Sequence, residues 1–149
     1  MINMNDIKKA LEIATLAHKG QVDKAGKDYI NHPITVSCYC KTYEAKIVGL
    51  LHDTVEDTDI TLDYLKNYFT EDILEAIKLV TKSYPLDINQ YYKNIKGNPI
   101  AREVKIADLT HNMDLSRFDI SKITQKDLDR VEKYKKYYNY LVKKNKEEI

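Results

Sequence analysis

The sequence predicts an all-α helical bundle, and three observations predict it. Only 4 glycines and 3 prolines occur in 149 residues, too few for a turn-rich β fold. Apolar residues recur at helical spacing in one segment after another. No stretch alternates apolar and polar residues with the period of a strand. Without an internal repeat, low-complexity block or linker, residues 1–149 read as a single domain.

Asp6 to Lys19 carries Ile7, Ala10, Leu11, Ala14 and Ala17 on one face, with Asn5 as the expected N-cap. Gly20 to Asn31 is polar and reads as a loop that turns at Gly26. Pro33 suits the first turn of a second helix running to about Tyr43. A third helix spans Glu44 to Val55; Ile47-Val48-Gly49-Leu50-Leu51 is apolar nearly all round, which predicts the most buried helix. After a break at Thr58 to Thr61, helices are expected over Thr61–Phe69 and Glu71–Thr81, the latter with Thr70 as N-cap. Asp87 to Lys96 is a weaker helix. Pro99 opens another to about His111, and a long charged helix runs from about Gln125 to Lys146.

Composition narrows the function classes. Lys plus Arg total 24 and Asp plus Glu 23, so net charge exerts no general pull toward nucleic acid or an anionic membrane. There is no apolar run of membrane-spanning length and no basic-then-apolar leader, and two cysteines cannot form a disulfide framework. A reduced cytoplasm is the expected location. Cys38 and Cys40 are two apart on a helix, so they cannot chelate together and read as core thiols. The 12 tyrosines, several interleaved with lysines near the C-terminus, suit half-buried rings on a solvated helix better than a nucleic-acid surface.

The polar residues within the apolar helices carry the chemistry. His52-Asp53 follows directly on Val48-Gly49-Leu50-Leu51, where an ionised Asp is costly unless paired or bound to a metal. Glu56 and Asp57 lie four residues after His52 and Asp53, so a continuing helix would present an imidazole and three carboxylates within one turn. A bound cation is the simplest way to hold such like charges together. Asp108 and Asn112 are spaced i, i+4 on a later apolar helix, and Pro33 fixes the backbone just beyond His32. Two His and two Asp from three segments make a reasonable ligand set for one divalent ion, and mixed N and O donors suit Mn²⁺, Fe²⁺, Co²⁺ or Zn²⁺. Such an ion lowers the pKa of its water from about 15.7 toward about 7.

The order His32, His52-Asp53, Asp108 resembles the H…HD…D pattern of the HD phosphohydrolase superfamily. The motifs Ala17-His18-Lys19-Gly20-Gln21, Tyr29-Ile30-Asn31-His32-Pro33, His52-Asp53-Thr54-Val55-Glu56-Asp57-Thr58 and Val104-Lys105-Ile106-Ala107-Asp108-Leu109-Thr110-His111-Asn112 are similar to the hydrolase domain of the RelA/SpoT homologues. The resemblance covers roughly residues 5 to 140. It implies an HD-domain helical bundle and a metal-dependent guanosine-3′,5′-bis(diphosphate) 3′-pyrophosphohydrolase. His32, His52, Asp53 and Asp108 would hold Mn²⁺, Glu56 and Asp57 would orient water and shuttle protons, and Lys24 and Asn112 would meet the nucleotide. One position departs from the family: in Val22-Asp23-Lys24, Asp23 stands where the family has an arginine that helps hold the guanine nucleotide.

Plainer roles remain open for single residues. His52-Asp53 alone would suit a hydrogen-bonded pair, Asn112 an ordinary helix end, Lys24 a solvated loop and Lys105 a structural ion pair. His18 reads as a link between helix end and loop, and His111 as a surface or core histidine. For the whole chain the alternatives are an HD hydrolase of another nucleotide or phosphomonoester, and a nucleotide- or metal-binding domain without turnover. Oligomeric state is not legible in the sequence.

Overall fold

In a computed structural model, the described residues are 4–143. Nine α-helices follow one another among them: α1 (Met4–Ala17), α2 (Asn31–Tyr39), α3 (Tyr43–Leu51), α4 (Thr54–Asp57), α5 (Leu62–Leu65), α6 (Glu71–Val80), α7 (Ile88–Lys96), α8 (Pro99–Met113) and α9 (Gln125–Val142). A single 3-10 turn, Ile120–Lys122, lies between α8 and α9. The described residues contain no strand element, only one isolated antiparallel bridge, Val22 with Asp28, that closes the loop after α1. None of the helices is long and apolar enough to cross a membrane.

Two helices form the centre. α3 packs against α1, α2, α6 and α8, and α8 packs in turn against α2, α6, α7 and α9. Ile47, Val48 and Leu51 of α3 are fully enclosed, as the all-round apolar run requires. Gly49 lets α2 and α3 approach closely, since a Cβ there would stand 3.0 Å from the Ser37 Cα. Tyr91 and Tyr92 are buried, and the Tyr92 ring stacks on Tyr137 of α9 with centroids 4.0 Å apart.

Several boundaries differ from the expectation, each for a local reason. α1 begins at Met4, so Asn5 lies within its first turn rather than capping it. α2 starts at Asn31 and stops at Tyr39, four residues early, where Cys40 turns extended and Lys46 Nζ binds its carbonyl at 2.7 Å. The third helix is not continuous to Val55. His52 Nδ1 sits 2.6 Å from the Gly49 carbonyl and Thr54 Oγ1 donates to the Leu51 carbonyl at 2.8 Å. These side chains take acceptors that continuing helix amides would have used, and the chain restarts as α4. Thr61–Phe69 is one turn, α5, after which bonds tighten to i→i−3: Asn67 N and Nδ2 both donate to the Tyr64 carbonyl. Thr70 stands at the N-cap of α6 without a side-chain cap bond. α8 extends two residues past His111. α9 ends at Val142; the expected end at Lys146 lies outside the described residues. Cys40 is buried, and burial pushes its thiol up to about 12, whereas Cys38 is exposed rather than a core thiol.

Candidate metal centre

Three of the packed elements deliver the polar groups. His32 comes from the first turn of α2, His52-Asp53 from the break between α3 and α4, and Asp108 from the middle of α8. Donor atoms of His32, His52 and Asp53 lie within 4.8 Å of one another. His32 Nε2 is 2.8 Å from Asp108 Oδ1 and 3.8 Å from Asp53 Oδ2. His52 Nε2 is 3.1 Å from Asp53 Oδ2 and 3.4 Å from Asp108 Oδ1. Donors sharing one ion at about 2.0–2.2 Å stand about 2.8–3.6 Å apart, close to these separations.

One orphaned atom tests whether these residues fit a cation. A carbonyl only accepts, so the contact with Gly49 places the His52 proton on Nδ1. Its Nε2 is then a lone pair, buried without a hydrogen-bond partner and facing two carboxylate oxygens. That arrangement calls for positive charge at the centre. Burial alone would lower the His52 pKa, yet the carboxylates of Asp53 and Asp108 hold it well above the usual range. A divalent cation among these N and O donors meets the same demand, so the set fits one.

Neighbouring groups steady the donors. Lys105 Nζ binds Asp108 Oδ2 at 3.0 Å, and Asn112 Nδ2 donates to Asp108 Oδ1 at 3.0 Å. Burial would raise the Asp108 pKa, but the Lys105 ammonium holds it well below the ordinary carboxylate range. The Tyr29 hydroxyl donates to Asp53 Oδ2; burial and the Asp53 charge raise the phenol far above its usual value, so it remains a donor. His32 Nδ1 lies 2.7 Å from His111 Nδ1, with the rings 17° from coplanar. Burial, then the nearby His32 and Arg117, lower the His111 pKa to about 4, which leaves it neutral at pH 7.

The remaining expected residues are placed as follows. Asp57 follows one turn after Asp53, and burial, then the charges of Asp53 and Glu56, raise its pKa. Glu56 is not in the tight donor cluster; its Oε1 accepts the Lys82 amide at 2.7 Å. Lys24 and Asn112 line a cleft of about 340 Å³ beside His32. Asn112 therefore touches both the cleft and Asp108. Lys105 is a buried ion-pair partner of Asp108. His18 is buried past the end of α1, with Nδ1 2.9 Å from Gln21 Oε1.

Sequence reasoning gave no role to Tyr29, although it stands in a quoted motif, nor to Arg117 and Arg130, which also line the cleft. No local pattern marks the two arginines. Asp23 Oδ2 meets Arg117 Nη1 at 3.3 Å, so the carboxylate in the arginine's place is paired with an arginine 94 residues away.

An all-α bundle whose core helices bring two imidazoles and the Asp53 carboxylate together, with the Asp108 carboxylate against both imidazoles, has an HD-type fold. Known proteins place it more closely. A guanosine-3′,5′-bis(diphosphate) 3′-pyrophosphohydrolase of Borreliella burgdorferi is 38% identical over 122 residues, covering 70% of this chain and 18% of that protein. The bifunctional (p)ppGpp synthase/hydrolase SpoT of Escherichia coli is 30% identical over 122 residues, covering 72% and 17%. A solved metazoan orthologue of SpoT that hydrolyses ppGpp superposes with a TM-score of 0.75 at 25% identity, over 95% of this chain and 88% of that one. No protein-family model matches. The chain spans about a fifth of the length of the curated relatives it matches. It belongs to the SpoT/RelA homologues.

Proposed function

We propose that this chain is a metal-dependent (p)ppGpp 3′-pyrophosphohydrolase that uses Mn²⁺. The observation that carries the reading is the cluster of His32, His52 and Asp53 donors within 4.8 Å of one another, with Asp108 Oδ1 2.8 Å from His32 Nε2 and the His52 Nε2 lone pair otherwise unpartnered. Relatives named as guanosine-3′,5′-bis(diphosphate) 3′-pyrophosphohydrolases supply the substrate class.

The metal, when bound, supplies Lewis acidity: it acidifies water and offsets charge on phosphoryl oxygens. The chain's own residues do the rest. Gly49 fixes the His52 tautomer, Lys105 and Asn112 fix Asp108, and Tyr29 fixes Asp53. Water oxygen attacks the phosphorus next to the ribose 3′ oxygen. The bond to that oxygen breaks, pyrophosphate departs, and the 3′ oxygen takes up a proton. Asp57, its pKa raised above the ordinary carboxylate value by burial and the charges of Asp53 and Glu56, is the group suited to accept the water proton, with Glu56 beside it orienting the water. Lys24 and Asn112 face the cleft where the nucleoside would lie.

Incubation of the Mn²⁺-loaded protein with ppGpp and a nucleotide panel tests the reading. Equimolar GDP and pyrophosphate are expected. Turnover of another nucleotide with ppGpp intact would instead mark a different HD hydrolase, and binding without turnover a sensor.

A further inference from the structure

The cleft beside His32 carries a carboxylate, which is unfavourable for a polyanionic ligand unless its charge is answered. Asp23 is answered on both oxygens. Oδ1 accepts the amides of Ala25 and Lys27, each at 2.9 Å, so the loop after α1 pins the side chain. Oδ2 meets Arg117 Nη1 at 3.3 Å. Arg117 lies in the connection after α8, and the same Nη1 is 3.4 Å from His111 Nε2. Its guanidinium stands 5.6 Å over the Phe118 ring.

The contacts to Asp23 and His111 fall on one nitrogen of the fork. Arg117 Nε is buried and has no hydrogen-bond partner. A guanidinium offers five N–H donors in a plane that matches two phosphate oxygens. Arg117 is therefore held in place but keeps an unmet demand for acceptors. Lys24 lines the same cleft, as does Arg130, which is paired with Asp127; Lys24 and Arg117 thus outweigh Asp23, while Leu115, Phe118 and Tyr134 give the cleft apolar wall for a base or sugar.

We infer that Arg117, tethered through Asp23, reads the 5′-phosphates of the nucleotide whose 3′-diphosphate faces the His32–His52 centre. The inference deepens the proposed function and rests on it. It assigns the loop aspartate a positioning role and moves the specificity-determining cation to a different part of the chain.

The test is calorimetric titration of GDP and of guanosine into the full Mn²⁺-loaded chain, alongside ppGpp turnover by the wild type. Arg117→Ala should weaken GDP binding at least tenfold, leave guanosine within twofold, and keep metal content unchanged. Arg117→Lys retains a cation for Asp23 and loses the fork, so it should show a smaller loss confined to GDP; it also serves if the alanine variant does not fold. Equal weakening of GDP and guanosine, or unchanged GDP affinity in both variants, overturns the inference. If that occurs while the wild type still releases pyrophosphate from ppGpp, the inference alone fails. Absence of ppGpp turnover in the wild type overturns the proposed function and this inference with it.

Discussion

Each donor residue at the centre is held by a second group, the histidines through their Nδ1 atoms and the aspartates through their carboxylate oxygens. Tyr29 shows the consequence most directly, because its hydroxyl touches Asp53 and removing it alters no ligand. Partners of this kind typically change metal affinity about 10–100-fold. Tyr29→Phe should therefore weaken Mn²⁺ binding by at least tenfold with folding intact, measured by competition with a chromophoric chelator; unaltered affinity would show that Asp53 needs no such support. The residues themselves were readable as a set because three separate motifs supplied them. The supporting hydroxyl was not, since a tyrosine two residues before an Asn-His-Pro sequence has many ordinary uses. Arg117 was still less readable: its partnership with Asp23 joins positions 94 apart and leaves no spacing to detect.

Helix junctions decide where those donors sit. The turn between α2 and α3 is closed by Glu103 of α8, which accepts from the Lys41 and Thr42 amides and, at 2.8 Å, from the Thr42 hydroxyl. Burial would raise the Glu103 pKa, but these donors lower it. A carboxyl depressed in the folded state stabilises above its unfolded pKa of about 4.3, and that contribution is lost as pH falls through the folded value. Glu103→Ala should thus lower stability by about 1–2 kcal/mol at pH 7, with the difference from wild type shrinking as pH drops below about 4. Urea melts at both pH values would check this, and a pH-independent difference would contradict it. Helices with a clean apolar stripe or a clear opening proline, such as α6 and α8, were legible in the sequence. The interruption at His52-Asp53 was not, because the apolar run leads straight into it and Val55 keeps helical spacing beyond it. It arises when His52 and Thr54 side chains capture backbone carbonyls, which periodicity does not encode.

At the level of the whole molecule, the centre joins α2, the end of α3 and α8, which pack on one another in the middle of the bundle. Unfolding separates His32, His52-Asp53 and Asp108 by tens of residues, so a cation held by them binds the folded chain and not the unfolded one. Linkage then makes the ion a stabiliser: at a hundredfold excess over its dissociation constant it contributes about 2.7 kcal/mol. For a chain of this length that raises Tm by about 5–10 °C. Mn²⁺ should produce that shift in the wild type and a chelator should reverse it. Asp53→Ala should lose most of the shift while its helical circular dichroism matches wild type, because the side chain sits at a helix junction rather than in the apolar core. A Tm indifferent to Mn²⁺ in the wild type, or an undiminished shift in the variant, would mean that these four side chains do not share an ion. The bundle would then have to tolerate the buried His52 lone pair by protonating the ring, the other source of positive charge the geometry allows.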